Sequence, residues 1–104
     1  MSEGTATDRA QARCRQLRDL LDDTPGLACR ANPDAWVPEH YVKQWVREPV
    51  ALCLACPMQQ ACLELAELRG EAEGIYGGTT PTDRRRRRRR GVPPGEPETR
   101  EEVA

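Results

Sequence analysis

The stretch CLACPMQQACLELAELRG, residues 53–70, decides how this chain folds. Three thiols fall within its first ten residues, Pro57 stands between the second and third, and an apolar pattern then runs up to Gly70. Proline lacks an amide hydrogen and suits the first turn of a helix, so the spacing predicts a helix from Pro57 to about Arg69 that Gly70 ends. Met58, Cys62, Leu65 and Leu68 recur on one face of that helix, which turns Cys62 inward. Cys53 and Cys56 form a C-x2-C pair just before the break, and the bend lets all three sulfurs converge on one point.

Upstream, Pro49 opens a short helix to about Cys53, and another runs from about Glu39 to Val46. The segment LACRANPDAWVPEH, residues 27–40, is punctuated by Pro33 and Pro38 and reads as loop or short turns carrying Cys29. Before it, Ala10, Cys14, Leu17 and Leu21 place an apolar stripe along a helix from about Asp8, its N-cap, to Asp23, where Thr24-Pro25-Gly26 stops it. No stretch alternates like a strand. The expected fold is therefore all-α, a small bundle of about four short helices over residues 8–80, between a disordered N-terminus (1–7) and a disordered tail (81–104).

The 104 residues contain no Phe and only four large aromatics, Trp36, Trp45, Tyr41 and Tyr76, so apolar burial alone leaves such a domain marginal. Metal ligation or disulfides are the usual remedy at this size. No segment resembles a signal peptide or approaches the roughly 20 apolar residues of a membrane span, which points to the cytoplasm and away from membranes. In that reducing compartment an odd number of clustered cysteines, five here, suits metal or redox chemistry better than permanent disulfides.

A closed four-coordinate site needs one thiol beyond Cys53, Cys56 and Cys62. Cys29, in its bendable loop, is the better candidate; Cys14 lies on a helical stripe and reads as a small buried hydrophobe, and His40 as a surface residue. Zinc sites usually offer two close ligand pairs, whereas this chain has one pair, a third cysteine and a distant fourth, so the pattern tilts toward iron–sulfur and leaves zinc open. A thiol–disulfide oxidoreductase using Cys53 and Cys56 lacks the βαβ setting of such enzymes, and a structural zinc module that bridges proteins is a third reading. No catalytic triad, phosphate loop or paired-carboxylate site emerges, so neither an enzyme nor a small-molecule substrate is expected.

Downstream, Gly74, Gly77 and Gly78 permit a sharp turn that would present Ile75 and Tyr76. Arg84, Arg85, Arg86, Arg87, Arg88, Arg89 and Arg90 follow as one run; taking these seven positive charges from the net −1 leaves −8 on the rest of the chain. Such a run suits phosphate contact more than base reading, and seven contacts on duplex DNA would give a slope of log K on log salt of about −6. A solvated charge run or a nonspecific RNA binder is the plainer reading. RRGVPP shares only part of the Arg-Gly-Arg-Pro core of a minor-groove hook, because Val92 stands in the second arginine's place.

Cys29, Cys53, Cys56 and Cys62 in the order C-x23-C-x2-C-x5-C, then Pro57 and Leu63, the GIYGG turn at residues 74–78 and a basic tail together resemble the WhiB-like transcription regulators of actinobacteria and their phages. The resemblance covers about residues 27–90. It implies a [4Fe-4S] cluster on those four cysteines, a response to oxygen or nitric oxide, thiols free to form disulfides once iron is lost, and action at promoter DNA with the primary sigma factor, through its region 4, and RNA polymerase. It also assigns the turn Gly74, Ile75, Tyr76, Gly77 and Gly78 to sigma contact. Tyr76 departs from the tryptophan usual in that turn. Trp36 stands where the family carries an aromatic near the first cysteine and belongs either to the cluster or partner surface or to the core.

Overall fold

The computed structural model describes residues 5–97. Helices α1 (Thr5–Asp22), α2 (Ala28–Ala31), α3 (Lys43–Leu54), α4 (Gln59–Arg69) and α5 (Pro81–Arg89) follow in order, with a 3-10 turn at Pro33–Trp36, and no strand occurs among the described residues. This is the small all-α fold expected. The long helix α1 packs along α4, burying Leu17 on one and Leu63, Leu65 and Ala66 on the other. Arg13 grips Glu64 across that seam with two bonds of 2.8 and 2.9 Å. A second cluster joins Trp36, Cys53 and Ile75, with Cys29, Ala35, Tyr41, Val46 and Val50 against it.

Several expected boundaries move. Helix α1 already includes Thr5 to Thr7, so Asp8 lies in its first turn rather than at its cap, where its carboxylate still faces the positive end of the helix dipole. Residues 1–4 of the expected disordered N-terminus lie outside the described residues. The two helices expected at 39–46 and from 49 are one helix, α3, with Pro49 inside it. Proline removes one rung of the ladder, and burial of Pro49 and Cys53 with the packing of Val46 and Val50 offsets that loss. Cys29 sits in the single turn of α2, one of the short turns expected in that segment.

Helix α4 starts at Gln59, two residues later than expected. Cys56, Pro57 and Met58 form the intervening turn instead, fixed by Cys56 N–H to Cys53 O at 3.0 Å and Gln59 N–H to Cys56 O at 3.1 Å. Gly70 ends α4 in the left-handed conformation, φ 66°, as its position predicts.

The largest correction concerns the tail. Residues 81–89 are helix, opened by a capping box in which Thr80 Oγ1 accepts the Asp83 N–H (3.2 Å) and Asp83 Oδ2 accepts the Thr80 N–H (3.0 Å), with Pro81 in the first turn. Arginine is a good helix former, and the acidic start and basic end complement the helix dipole. Residues 91–97 then fold back over α4, where Gly95 donates to Glu67 Oε1 at 2.8 Å. The rest of the expected tail, 98–104, lies outside the described residues.

The turn 74–79 holds these parts together at Gly77. Its φ is +56°, and a β-carbon there would meet Leu63 Cβ at 2.6 Å and the Gln59 carbonyl oxygen at 2.7 Å. Gly26 also has a positive φ, +83°, but open space around it. Gly77→Ala is therefore expected to destabilise by about 3 kcal/mol, combining backbone strain with overpacking, and Gly26→Ala by about 1 kcal/mol from strain alone. Urea denaturation of the two variants checks the difference.

Candidate metal centre

Cys29, Cys53, Cys56 and Cys62 line one cavity of about 270 Å³, closed by Leu27, Trp36, Met58, Ile75 and Tyr76 among others. Each sulfur comes from a different local device: Cys29 from the one-turn helix α2, Cys53 from the end of α3, Cys56 from the turn that Pro57 imposes, and Cys62 from the first turn of α4. Helices α3 and α4 meet at a bend of 117°, which swings Cys62 back toward Cys53. Cys14 is not among them; it lies in a separate groove between α1 and α4 with Ala10 and Leu68. His40 also lies apart, exposed and stacked on Trp45 at 6.0 Å.

Three of the four sulfurs have an N–H donor from another residue. Trp36 Nε1 donates to Cys53 Sγ at 3.1 Å and the Met58 amide to Cys56 Sγ at 3.3 Å. The Gly77 backbone N–H serves Cys62. Burial pushes the Cys62 thiol up to about 11, with Gly77 opposing and the three neighbouring cysteines adding to the rise. Cys29 is also raised, first by burial and then by Cys53 and Cys56, against its own amide and Arg30. Burial and the neighbouring sulfurs thus disfavour the thiolates that a metal would require, and binding a metal there releases protons.

Trp36 is buried, so it belongs to the core and at the same time meets a cavity sulfur. Ile75, expected on an exposed turn, is only 1% exposed: its N–H reaches Trp36 O at 2.7 Å and its side chain completes the core. Tyr76 stays half-buried beside the cavity, its hydroxyl raised chiefly by burial. Gly74 and Gly78 do not line the cavity; they allow close approach of the Tyr76 ring and of Leu54 respectively. The donors at Met58 and Gly77 are backbone groups, and no side-chain pattern announces them.

The arginine run divides. Arg84 and Arg87 are each 3% exposed, whereas the other five arginines of the run are exposed. The Arg84 guanidinium donates to the carbonyls of Gly74 (2.8 Å), Thr79 (2.9 Å) and Glu73 (3.1 Å) and lies over the Tyr76 ring, 5.2 Å from its centroid. Arg87 pairs in bidentate fashion with Glu67 (2.7 and 2.9 Å) and holds the Glu96 carbonyl at 2.9 Å. Counting all seven as DNA contacts is thus corrected: two are parts of the fold, because a chain with so little apolar bulk anchors α5 with guanidinium bonds.

A family model described as Transcription factor WhiB matches residues 24–87, which include the four cavity cysteines and exclude Cys14. The chain is 36% identical over 59 residues to the transcriptional regulator WhiB of Streptomyces coelicolor, covering 57% of this chain and 66% of that protein. It is 36% identical over 59 residues to WhiB2 of Mycolicibacterium smegmatis, covering 44% of that protein, and 35% identical to WhiB2 of Mycobacterium tuberculosis, covering 64%. The chain therefore spans less than two thirds of the length of each of these relatives. No solved structure gives a significant match. No single helix among the described residues is long and apolar enough to cross a membrane.

A thiol at about 11 is almost wholly protonated at pH 8, so Cys62 of the metal-free protein is expected to alkylate more slowly than a free cysteine. Its rate rises about tenfold per pH unit up to that pKa. The sign for stability follows: the raised folded value favours the folded state below the unfolded thiol pKa near 9.0, and that contribution fades as pH climbs toward 11. Site-resolved mass spectrometry of alkylation between pH 7 and pH 10 checks both the rate and the slope.

Proposed function

The chain belongs to the WhiB family of transcription factors, and on that premise we propose that it holds one [4Fe-4S] cluster on Cys29, Cys53, Cys56 and Cys62. We propose further that it regulates transcription in response to oxidants or nitric oxide, on promoter DNA and with the primary sigma factor. The observation that carries the reading is the cavity: four thiols from four local structures, three of them with an N–H donor from another residue, around one space of about 270 Å³.

The donor set suits a cluster. Four thiolates are the normal ligand shell of a cubane, and hydrogen bonds to the sulfurs with limited solvent access are the levers that tune its potential. The arrangement along the chain, one close cysteine pair with a third cysteine and a distant fourth, leans toward a cluster over the two close ligand pairs usual for zinc.

When bound, such a cluster supplies one-electron chemistry and a target for oxidants. The chain's own part is to hold and shield it. Trp36 covers one sulfur and donates to it, Ile75 seals the floor, and the turn at Cys56-Pro57-Met58 fixes the spacing of the C-x2-C pair. Once the metal is gone, clustered thiols are open to oxidation to disulfides. The sigma-factor reading rests on the family; of the two side chains beyond glycine in the turn 74–78, half-buried Tyr76 is the one that reaches solvent, and Val42 and Trp45, around the start of α3, are exposed apolar side chains.

Protein purified without oxygen is expected to be brown and to carry about four iron and four sulfide per chain. Cys29→Ala, Cys53→Ala, Cys56→Ala and Cys62→Ala each lose the cluster, and Cys14→Ala keeps it. Iron and acid-labile sulfide analysis decides: stoichiometric zinc without sulfide, or loss on Cys14→Ala with retention on Cys29→Ala, overturns the assignment.

A further inference from the structure

We infer that α5 is a two-sided arginine helix whose outer face, Arg85, Arg86, Arg88 and Arg89, seats on the phosphates lining the groove of duplex DNA, while Arg84 and Arg87 serve only to fix it to the body. This inference rests on the DNA reading proposed above and goes beyond it by dividing the run residue by residue.

The division follows from helix geometry. At about 100° per residue, Arg84 and Arg87 lie about 60° apart on one side, Arg85, Arg89 and Arg86 spread over about 100° away from them, and Arg88 stands at the edge of that fan, about 40° from Arg84. Burial agrees: the first two are 3% exposed and the other four are exposed. The inner pair is fully engaged. Arg84 takes carbonyls of the turn 74–79, and Arg87 takes Glu67 together with the carbonyls of Pro93 and Glu96. Of the outer four, Arg85 bonds only Thr82 Oγ1 one turn back, at 3.0 Å, which leaves its remaining donors for a ligand.

An anchored helix presents these cations at fixed positions. Its ends are set by the Thr80–Asp83 capping box and by the strap 91–97 that Arg87 holds, so the outer face needs little ordering on binding. A helix about 10–12 Å across fits the major groove of B-DNA, about 12 Å wide, and the fan lets Arg86 and Arg88 reach opposite walls with Arg85 and Arg89 between them. The major groove of duplex RNA is too deep and narrow for the same seat.

The salt dependence of binding separates this arrangement from an undifferentiated tail. Four outer contacts predict a slope of log K on log salt of about −3.6, hence a loss of roughly 150-fold between 50 and 200 mM salt; seven equivalent contacts predict roughly 6000-fold. The test is fluorescence anisotropy of the full, anaerobically purified chain on a DNA duplex and on an RNA duplex of equal length. Single changes of Arg85, Arg86, Arg88 or Arg89 to Gln are expected to flatten the slope by about 0.9 each. Arg87→Lys keeps the charge but loses the fork; it is expected to lower the melting temperature and leave the slope unchanged, and the RNA duplex to bind at least about tenfold more weakly. A slope near −6 shared equally by all seven, or equal affinity for RNA, overturns the two-sided helix and leaves the DNA reading standing. No binding to either duplex at low salt overturns both.

Discussion

The turn from Gly74 to Thr79 is the constraint on which the rest depends, because two structures that must not drift apart both close on it. On one side Ile75 enters the core beside Trp36 and Cys53, and the Gly77 backbone serves the Cys62 sulfur. On the other side the Arg84 guanidinium gathers the carbonyls of residues 73, 74 and 79 and covers Tyr76. Only glycine at 77 lets the turn press onto Leu63 and Gln59 of α4. Tyr41 adds a second fastening, accepting the Gly74 N–H at 2.7 Å while donating to Glu73 at 3.2 Å. The cavity and the arginine helix are thus two faces of one short loop.

Buried arginines carry an energetic obligation that explains how completely they are partnered. Removing one member of a buried pair leaves a charge uncompensated, at a cost of about 3–5 kcal/mol, so Arg87 and Glu67, with side chains 4% and 10% exposed, act as a unit. Among the described residues no buried side-chain nitrogen or oxygen lacks a partner. Burial lowers the Arg84 pKa somewhat, opposed by Tyr76, Tyr41, Glu67 and Glu71, and the guanidinium stays charged at any ordinary pH. Guanidinium bonds here do part of what phenylalanines do in domains with larger cores.

Much of this was legible in the residues. Spacing put Cys62 on an inner helix face, the proline- and glycine-flanked segment singled out Cys29 over Cys14 on its helical stripe, and residue type placed a break at Pro57 and a stop at Gly70. The arginine helix was not legible, because a run of one residue type has no periodicity and its inner face is set by carbonyls and Glu67, far off in sequence. The union of two short helices into α3 was hidden by Pro49, whose local cost is outweighed by packing that a single sequence does not display. Ile75 looked like turn surface for a similar reason: its burial depends on the Trp36 carbonyl, 39 residues away in the chain.

The central claim is that the four thiols around the cavity hold a cubane rather than a lone ion, and Mössbauer spectroscopy of protein grown on ⁵⁷Fe and purified without oxygen tests it most directly. The account predicts a spectrum in which all the iron is tetrahedral, sulfur-ligated and valence-delocalised in pairs. A spectrum of isolated high-spin iron with oxygen or nitrogen ligands, or protein loaded with zinc and devoid of iron, would contradict it.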